Sequence, residues 1–174
     1  WFGAISQKFT FTNRHNVESR INYLLLATAL LGTFFSGTAN KTTLVLDTCA
    51  YSDFAEGSGN AVDCIARNNE ALHIPAIVMG ELQYGFMKGS RLKYNEEELA
   101  QFIALFNVTI IPVAGDTARH YAELYFELSS QGTRLPINDV WIAASCLAID
   151  GTLLTRDRHF EHIERLSKII QDQP

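Results

Sequence analysis

The chain has 174 residues, of which 47% are hydrophobic, and a formal net charge of −5 at pH 7. This length and apolar content suffice for one domain with a full hydrophobic core. The negative charge argues against a protein that holds nucleic acid over its whole surface. Any contact with RNA or DNA must therefore use a local basic rim or a metal site.

Residues 1–41 differ in composition from the rest of the chain. An uncharged apolar run at residues 23–35 follows Arg14 and Arg20 and precedes small residues, as in the apolar region of a signal peptide. It is short for a membrane span. A core helix, a native signal or anchor, and a translated upstream fragment all stay open, and we expect no membrane association unless the segment is a native anchor. We treat residues 1–41 as an N-terminal extension of uncertain status and residues 42–174 as the domain.

From residue 43 onward, short apolar runs alternate with helical segments, which is typical of an α/β fold with a central, mostly parallel sheet. Strands are predicted at residues 43–46, 71–75, 108–111, 152–155 and 168–170, the last of them at an edge. Helices are predicted at residues 49–54, 61–67, 77–87, 95–106, 116–131, 139–149 and 159–166. Asp116 is expected to cap its helix, and Asp150-Gly151 to form a tight turn.

The helix that begins near Asp139 is apolar on almost every face, so we expect it to be buried. Asp139 lies in its first turn, where unpaired backbone N–H groups and the positive end of the helix dipole favour a carboxylate. A helix cap is the simplest interpretation of this residue taken alone. The positions of three other acids argue for a further role.

Asp47 directly follows the first predicted strand, and Asp157 follows the fourth. Open parallel sheets bind ligands in the crevice at the carboxyl ends of their strands, so both side chains are expected there. Glu81 lies early in the helix after the second strand, which begins at the same edge, and Asp139 joins them if its helix also begins there. Each acid alone has a simpler interpretation: Asp47 and Asp157 as helix caps, Glu81 as a solvated helix residue.

Four carboxylates at one edge repel one another by roughly 3 kcal/mol per pair at about 5 Å. A hard divalent cation such as Mg²⁺ relieves this repulsion and takes carboxylate and water oxygens as ligands. Such a site polarises a phosphoryl oxygen and activates water for in-line attack on a phosphodiester. The residues therefore predict metal-dependent phosphoryl transfer or hydrolysis, with Glu81 as a ligand or as the acceptor of a proton.

The order of the motifs LVLDT, GEL, INDVWIAA and LLTRDRHF resembles the PIN-domain ribonucleases, specifically the VapC-type toxins of type II toxin–antitoxin pairs, over about residues 42–171. The resemblance implies a three-layer α/β/α fold, a Mg²⁺ or Mn²⁺ cofactor, endonucleolytic cleavage of an RNA substrate, a homodimer and a small antitoxin partner. Thr48 and Thr155 match hydroxyl positions beside the site and are candidates to bind substrate. By the same resemblance, the catalytic and metal-binding acids are Asp47, Glu81, Asp139 and Asp157.

Cys49 departs from the family pattern, in which Asn is common after the Asp-Thr pair. A thiol is too soft to prefer Mg²⁺, so we expect Cys49 to pack and not to coordinate. Arg156, Arg158 and His159 adjoin the site and are candidates to hold phosphate groups, with an ion pair to the acids equally open for Arg156. The three cysteines lack metal-binding spacing and predict reduced thiols in a cytoplasmic protein.

Three other functions stay open. A PIN-type RNA-processing nuclease without a toxin role would have no small antitoxin gene directly upstream. A catalytically silent sheet domain used as a binding module would have lost one or more of the four acids, and none is lost. A phosphatase with Asp47 as nucleophile fits an aspartate after the first strand, but Cys49 stands where a second aspartate is expected.

Overall fold

The computed structural model describes residues 42–68 and 71–171, and the predicted extension over residues 1–41 lies outside the described residues. Strands and helices alternate close to their predicted bounds. In the described part of the chain, no helix has the length and apolar composition needed to cross a lipid bilayer. The elements in chain order are β1 (Leu44–Leu46), α1 (Thr48–Glu56), α2 (Gly59–Arg67), β2 (Leu72–Pro75), α3 (Ala76–Lys88), α4 (Leu92–Leu105), β3 (Thr109–Ile111), α5 (Gly115–Ser130), α6 (Ile137–Leu147), β4 (Thr152–Thr155), a 3₁₀ helix (Arg158–His162) and β5 (Lys168–Ile170).

The five strands form one sheet in the order β3–β2–β1–β4–β5, and every neighbouring pair is parallel. From β1 the chain moves outward through β2 to β3, then returns to place β4 on the other side of β1. Because such crossovers are right-handed, α1 to α4 lie on one face and α5 and α6 on the other, which gives the predicted three-layer α/β/α fold. The carboxyl ends of β1 and β4 flank the point where the strand order reverses, and open α/β sheets bind ligands at this point.

The central strands and the helices on both faces form one core. Leu44–Leu46 of β1 is fully buried, as a continuous apolar strand covered on both faces should be. On one face, the rings of Phe54 in α1 and Phe102 in α4 lie 4.8 Å apart. On the other, Tyr121 of α5 stacks on Trp141 of α6 with ring centroids 3.9 Å apart. These contacts join the helices within each layer, and the second of them involves α6, the helix that carries Asp139.

The predicted tight turn after α6 is present at Asp150-Gly151. Asp150 supplies the positive φ of the turn, and Gly151 supplies the space that it needs. Asp150 adopts a φ of 49°, in the left-handed region that Asp tolerates better than most residues. Gly151 is required for space, because an added Cβ would lie 2.7 Å from Cγ2 of Val45. The turn therefore packs directly against Val45 of β1, which lies two residues before Asp47 in the sequence.

Two local predictions are wrong. The N-cap of α5 is Ala114, which makes no side-chain capping bond, and Asp116 instead lies in the first turn, 3.7 Å from Arg119. The segment predicted as a helix at residues 159–166 is a short 3₁₀ helix followed by turns. Its buried apolar residues recur every third position, which matches the repeat of a 3₁₀ helix better than that of an α-helix. These residues are Phe160, Ile163 and Leu166.

Candidate metal and catalytic centre

The structure brings the four predicted acids together at the carboxyl edge of the sheet. Asp47 follows β1 and caps α1, and Asp157 follows β4 and caps the 3₁₀ helix. Glu81 lies in the second turn of α3, and Asp139 in the first turn of α6. Burial, followed by the charges of the three other acids, raises the pKa of Asp139 to about 8. Shared neighbours link the acids in pairs: Thr48 donates hydrogen bonds to both Asp47 and Glu81, and Nδ1 of His159 lies 3.6 Å from Asp139 and 3.0 Å from Asp157.

Three of these acids are almost removed from solvent. Asp47 is 6% exposed, Glu81 8% and Asp139 2%, whereas the side chain of Asp157 is 20% exposed. Burying a charged carboxylate is costly unless hydrogen bonds or a counterion compensate for the lost hydration. The partners of each carboxylate therefore indicate which charges the protein satisfies by itself.

Asp47 is held by three donors. Its Oδ1 accepts a hydrogen bond from the backbone N–H of Thr48 at 2.6 Å, while Oδ2 accepts from Thr155 Oγ1 at 2.8 Å and from Cys49 Sγ at 3.1 Å. Burial raises the pKa of Asp47 to about 6, and these hydrogen bonds oppose the rise. Cys49, which was expected only to pack, therefore contacts the site directly. Thr155 orients an acid, a different contact from the substrate contact predicted for it.

Glu81 is oriented through both of its oxygens. Oε1 accepts a hydrogen bond from Asn138 Nδ2 at 2.7 Å, and Oε2 accepts from the hydroxyl of Thr48. The Thr48 hydroxyl, predicted to bind substrate, is thus engaged with an acid of the site. Sequence reasoning did not assign Asn138 to the site, although its position beside Asp139 in the first turn of α6 was a usable signal.

Asp139, Asp157 and His159 form a more open arrangement. Oδ2 of Asp139 is buried and has no hydrogen-bond partner within the described residues. Nδ1 of His159 lies 3.6 Å from that oxygen, beyond hydrogen-bond range, and 3.0 Å from Oδ1 of Asp157. One potential ligand atom from each of the three residues lies within 4.8 Å of the others. This side of the site presents ligand atoms to a common point.

Arg156 forms an ion pair with Asp53, a residue that was not predicted to belong to the site. Its Nη1 lies 2.7 Å from Oδ1 of Asp53 in α1, and the two side chains are only 13% and 7% exposed. Its backbone N–H also donates to Cys49 Sγ at 3.3 Å. The contact of Arg156 is therefore a buried ion pair that joins the end of β4 to α1. Arg158 is exposed on the 3₁₀ helix and directly follows Asp157 in the sequence, and its contact with phosphate groups stays a prediction.

The donor set suits a hard divalent cation. The four acids offer only carboxylate oxygens, the ligands that Mg²⁺ and Mn²⁺ prefer. The buried Oδ2 of Asp139, without a hydrogen-bond partner in the described part of the chain, is a group that such an ion would satisfy. The residues present therefore fit a divalent metal ion, which the carboxylates of Asp47, Asp139 and Asp157 would be available to hold, with Glu81 nearby.

Comparison with known sequences points to the same region of the chain. The sequence profile of a family described as "PIN domain" matches residues 44–166, which include all four acids. Ribonuclease VapC2 of Rickettsia felis is 32% identical over 108 residues, which is 62% of this chain and 78% of that protein. Ribonuclease VapC5 of Mycobacterium tuberculosis is 27% identical over 125 residues, which is 72% of this chain and 90% of that protein.

Solved structures share the fold. The crystal structure of VapBC2 from Rickettsia felis bound to a DNA fragment from their promoter matches with a TM-score of 0.68 and 26% identity, over 74% of this chain and 98% of that chain. VapBC-5 of Mycobacterium tuberculosis, described as a member of the VapBC family of toxin-antitoxin systems, matches with a TM-score of 0.54 and 25% identity, over 74% of this chain and 97% of that chain.

Proposed function

This chain belongs to the PIN domain family, and from that premise we propose that it is a divalent-metal-dependent endoribonuclease that serves as the toxin of a toxin–antitoxin pair. The ribonuclease names of its relatives support the reaction class. The single observation that carries the proposal is the cluster of four acids. Its member Asp139 is 2% exposed and presents a carboxylate oxygen without a hydrogen-bond partner among the described residues.

In this proposal Asp47, Asp139 and Asp157 hold Mg²⁺ or Mn²⁺ at the end of β1 and β4. A bound divalent ion supplies positive charge to a phosphoryl oxygen and lowers the pKa of water. Low exposure of the carboxylates strengthens each of these electrostatic interactions, because the local dielectric constant is below that of bulk water. The hydrogen bonds to Asp47 from Thr155 and Cys49 keep its carboxylate in one orientation.

Glu81 is the proposed proton acceptor. Hydrogen bonds from Asn138 and Thr48 fix its two oxygens, and each oxygen retains a second lone pair. It takes the proton of the attacking water as the new bond to phosphorus forms and the bond to the leaving ribose oxygen breaks. Arg158, exposed beside Asp157, is placed to pair with a phosphate of the bound RNA.

Cleavage of RNA by the full chain tests this proposal. We expect excess EDTA to stop cleavage, and Asp139→Asn to lower the rate by on the order of 10³-fold or more in saturating Mg²⁺. Asp116→Asn is the matched control, because that side chain is 82% exposed in α5, and it should leave the rate unchanged. Undiminished cleavage by a well-folded Asp139→Asn protein would contradict the assignment.

A small antitoxin is the proposed partner, supported by the similarity to a member of the VapBC family of toxin-antitoxin systems. The four acids are suited to accept an Arg or Lys side chain of such a partner in place of the metal ion. The product of a small gene directly upstream should co-purify with this chain and inhibit cleavage, and truncating the inserted basic residue should relieve the inhibition. Absence of both the gene and the inhibition would favour an RNA-processing nuclease.

We further propose a homodimer that works in the cytoplasm. Several apolar side chains are exposed and offer area for contact with a second copy. They include Met87 at 65%, Phe126 at 74% and Ile137 at 58% exposed. All three cysteines are reduced thiols, in keeping with a cytoplasmic protein. Light scattering of the full chain at micromolar concentration should give the mass of a dimer, and the mass of a monomer would remove the dimer from the proposal.

A further inference from the structure

We propose that His159 supplies a nitrogen ligand to the metal ion of this site, and that this ligand makes the site select Mn²⁺ and Zn²⁺ over Mg²⁺. The inference rests on the proposed function for the presence of an ion among the acids. It adds a fifth residue, which is not a carboxylate, to the ligand set. It also predicts a preference for Mn²⁺ and Zn²⁺ over Mg²⁺ that is larger than four carboxylates alone would give.

The distances around His159 match those between ligands of one ion. Ligand atoms that sit about 2.1 Å from a common first-row ion, in adjacent positions, lie roughly 3.0–3.4 Å from each other. Nδ1 of His159 lies 3.0 Å from Oδ1 of Asp157 and 3.6 Å from Oδ2 of Asp139. One potential ligand atom of each of the three residues lies within 4.8 Å of the other two. The separation of 3.0 Å falls in the range for adjacent ligands, and that of 3.6 Å lies just above it.

The backbone holds His159 in this position. Its N–H donates to Oδ1 of Asp157 at 2.9 Å, at the start of the 3₁₀ helix that Asp157 caps. The next residue, Phe160, is buried in the core and anchors the same turn. The imidazole and the Asp157 carboxylate are therefore presented together, on one short segment after β4.

Asp139 gives independent evidence that this point binds a cation. Its carboxyl group is 98% removed from solvent, and its Oδ2 has no hydrogen-bond partner within the described residues. The imidazole is the neighbouring basic group, yet at 3.6 Å it does not donate a hydrogen bond to that oxygen. An ion bound by Asp139, Asp157 and His159 would satisfy the oxygen directly.

The imidazole nitrogen explains the proposed preference for Mn²⁺ and Zn²⁺ over Mg²⁺. Mg²⁺ favours oxygen ligands and retains several waters, and it gains little from a nitrogen ligand. Imidazole is a good ligand for zinc and other transition ions, whose affinity for a given mixed site rises along the series from Mn²⁺. In its neutral form His159 carries a lone pair on one ring nitrogen, and Nδ1 is the nitrogen that faces the two carboxylates.

Electron spin echo spectroscopy of Mn²⁺ bound to the full chain tests the ligand directly. We expect ¹⁴N modulation from a coordinated imidazole in the wild type, and its loss in His159→Ala. His162→Ala is the control, because His162 is exposed in the same 3₁₀ helix and should leave the modulation unchanged. Bound Mn²⁺ without nitrogen modulation in the wild type, or modulation that survives in His159→Ala, would overturn the inference.

Calorimetric titration with Mg²⁺, Mn²⁺ and Zn²⁺ tests the preference. His159→Ala should weaken Mn²⁺ and Zn²⁺ binding by about 10-fold or more and change Mg²⁺ binding by less than about twofold. The side chain is 42% exposed, so the variant should unfold at the same temperature as the wild type in the absence of metal. Equal loss for all three ions, or no loss, would overturn the preference. If Mn²⁺ binds and RNA is cut but His159 makes no difference, the proposed function stands and this inference fails.

Discussion

Two sides of the same site differ in how far the protein satisfies their charges. The Asp47 side comprises Asp47, Cys49, Asp53, Thr155 and Arg156. There, one carboxylate accepts three hydrogen bonds and the other forms a buried ion pair at 2.7 Å. The Asp139 side comprises Asp139, Asp157 and His159. There, a carboxylate oxygen is equally buried but has no hydrogen-bond partner among the described residues.

This difference predicts how changes on each side alter the stability of the metal-free protein. On the Asp47 side, burial raises the pKa of Asp47 to about 6, and three donors limit the rise. On the Asp139 side, burial and the neighbouring acids raise the pKa of Asp139 to about 8, and Oδ2 accepts no opposing hydrogen bond from the described residues. Changes on the Asp47 side should therefore cost stability. Changes on the Asp139 side should cost ion binding and activity while leaving the metal-free fold intact or more stable.

The largest effect on stability is expected from Arg156→Ala. Removing the guanidinium breaks a buried ion pair by deleting one partner, so the free energy of unfolding should fall by about 3–5 kcal/mol. Urea unfolding at neutral pH measures the loss. Arg158→Ala, at an exposed position of the next element, is the control and should change stability by less than about 0.5 kcal/mol. Equal effects of the two substitutions would contradict a structural role for Arg156.

The same isosteric change should have opposite signs at the two central aspartates of the metal-free protein. Asp47→Asn places an amide NH₂ group against donors and should destabilise the fold by about 2 kcal/mol. At neutral pH the Asp139 carboxyl group must take up a proton on folding, because its folded-state pKa is about 8. Asp139→Asn puts an always neutral amide in its place and should stabilise the fold by about 2 kcal/mol. Unfolding in EDTA measures both values. Shifts of the same sign would remove the distinction between the two sides.

Gly151→Ala tests how tightly the turn after α6 packs against β1. The added Cβ would lie 2.7 Å from Cγ2 of Val45, so the free energy of unfolding should fall by about 1.5 kcal/mol. Gly80→Ala is the matched control, because nothing lies within 4 Å of its added Cβ in the middle of α3. That change should stabilise the protein by about 0.5–1 kcal/mol. Stabilisation by both changes would show that the turn has room to move.

The smallest effect, counted per pH unit, is the change in stability of the metal-free protein with pH. Both aspartates have a folded-state pKa above that of an unfolded Asp, about 6 for Asp47 and about 8 for Asp139. The folded protein therefore binds more protons than the unfolded chain between about pH 4 and 8, and its stability falls as pH rises through this window. Between pH 6 and 8 the loss from Asp139 is at most about 1.4 kcal/mol per pH unit. Urea unfolding in EDTA should show that stability falls with pH in the wild type and falls less steeply in Asp139→Asn. Equal slopes of stability against pH in the two proteins would contradict the role of Asp139.

Much of the site could be predicted from the sequence because short apolar runs show where the strands end. Asp47 and Asp157 follow apolar runs whose carboxyl ends meet at one edge, so their positions required only the parallel sheet. Glu81 and Asp139 required an assumption about where two helices begin. α3 follows β2 directly, so alternation of strands and helices accounts for Glu81. α6 follows another helix, and the hydrogen bond from Asn138 to Glu81 shows that it begins beside the same acid.

The contacts between the acids and their neighbours could not be read from the sequence. The hydrogen bond from Thr48 to Glu81 joins residues 33 positions apart, and that from Thr155 to Asp47 joins residues 108 apart. The first depends on how two helices are oriented against the sheet, and the second on the pairing of β1 with β4. Both are decided by tertiary packing and not by local pattern. For the same reason, the pairing of Arg156 with Asp53 was missed, although both residues are charged and visible in the sequence.

Anomalous diffraction from crystals of the full chain grown with Mn²⁺ tests the central claim most directly. The account predicts a strong peak among the four acids, about 2.0–2.3 Å from a carboxylate oxygen of Asp139, and no such peak in crystals of Asp139→Asn. Crystals in which Mn²⁺ binds only at other surfaces, or in which the cluster stays empty at saturating Mn²⁺, would contradict it.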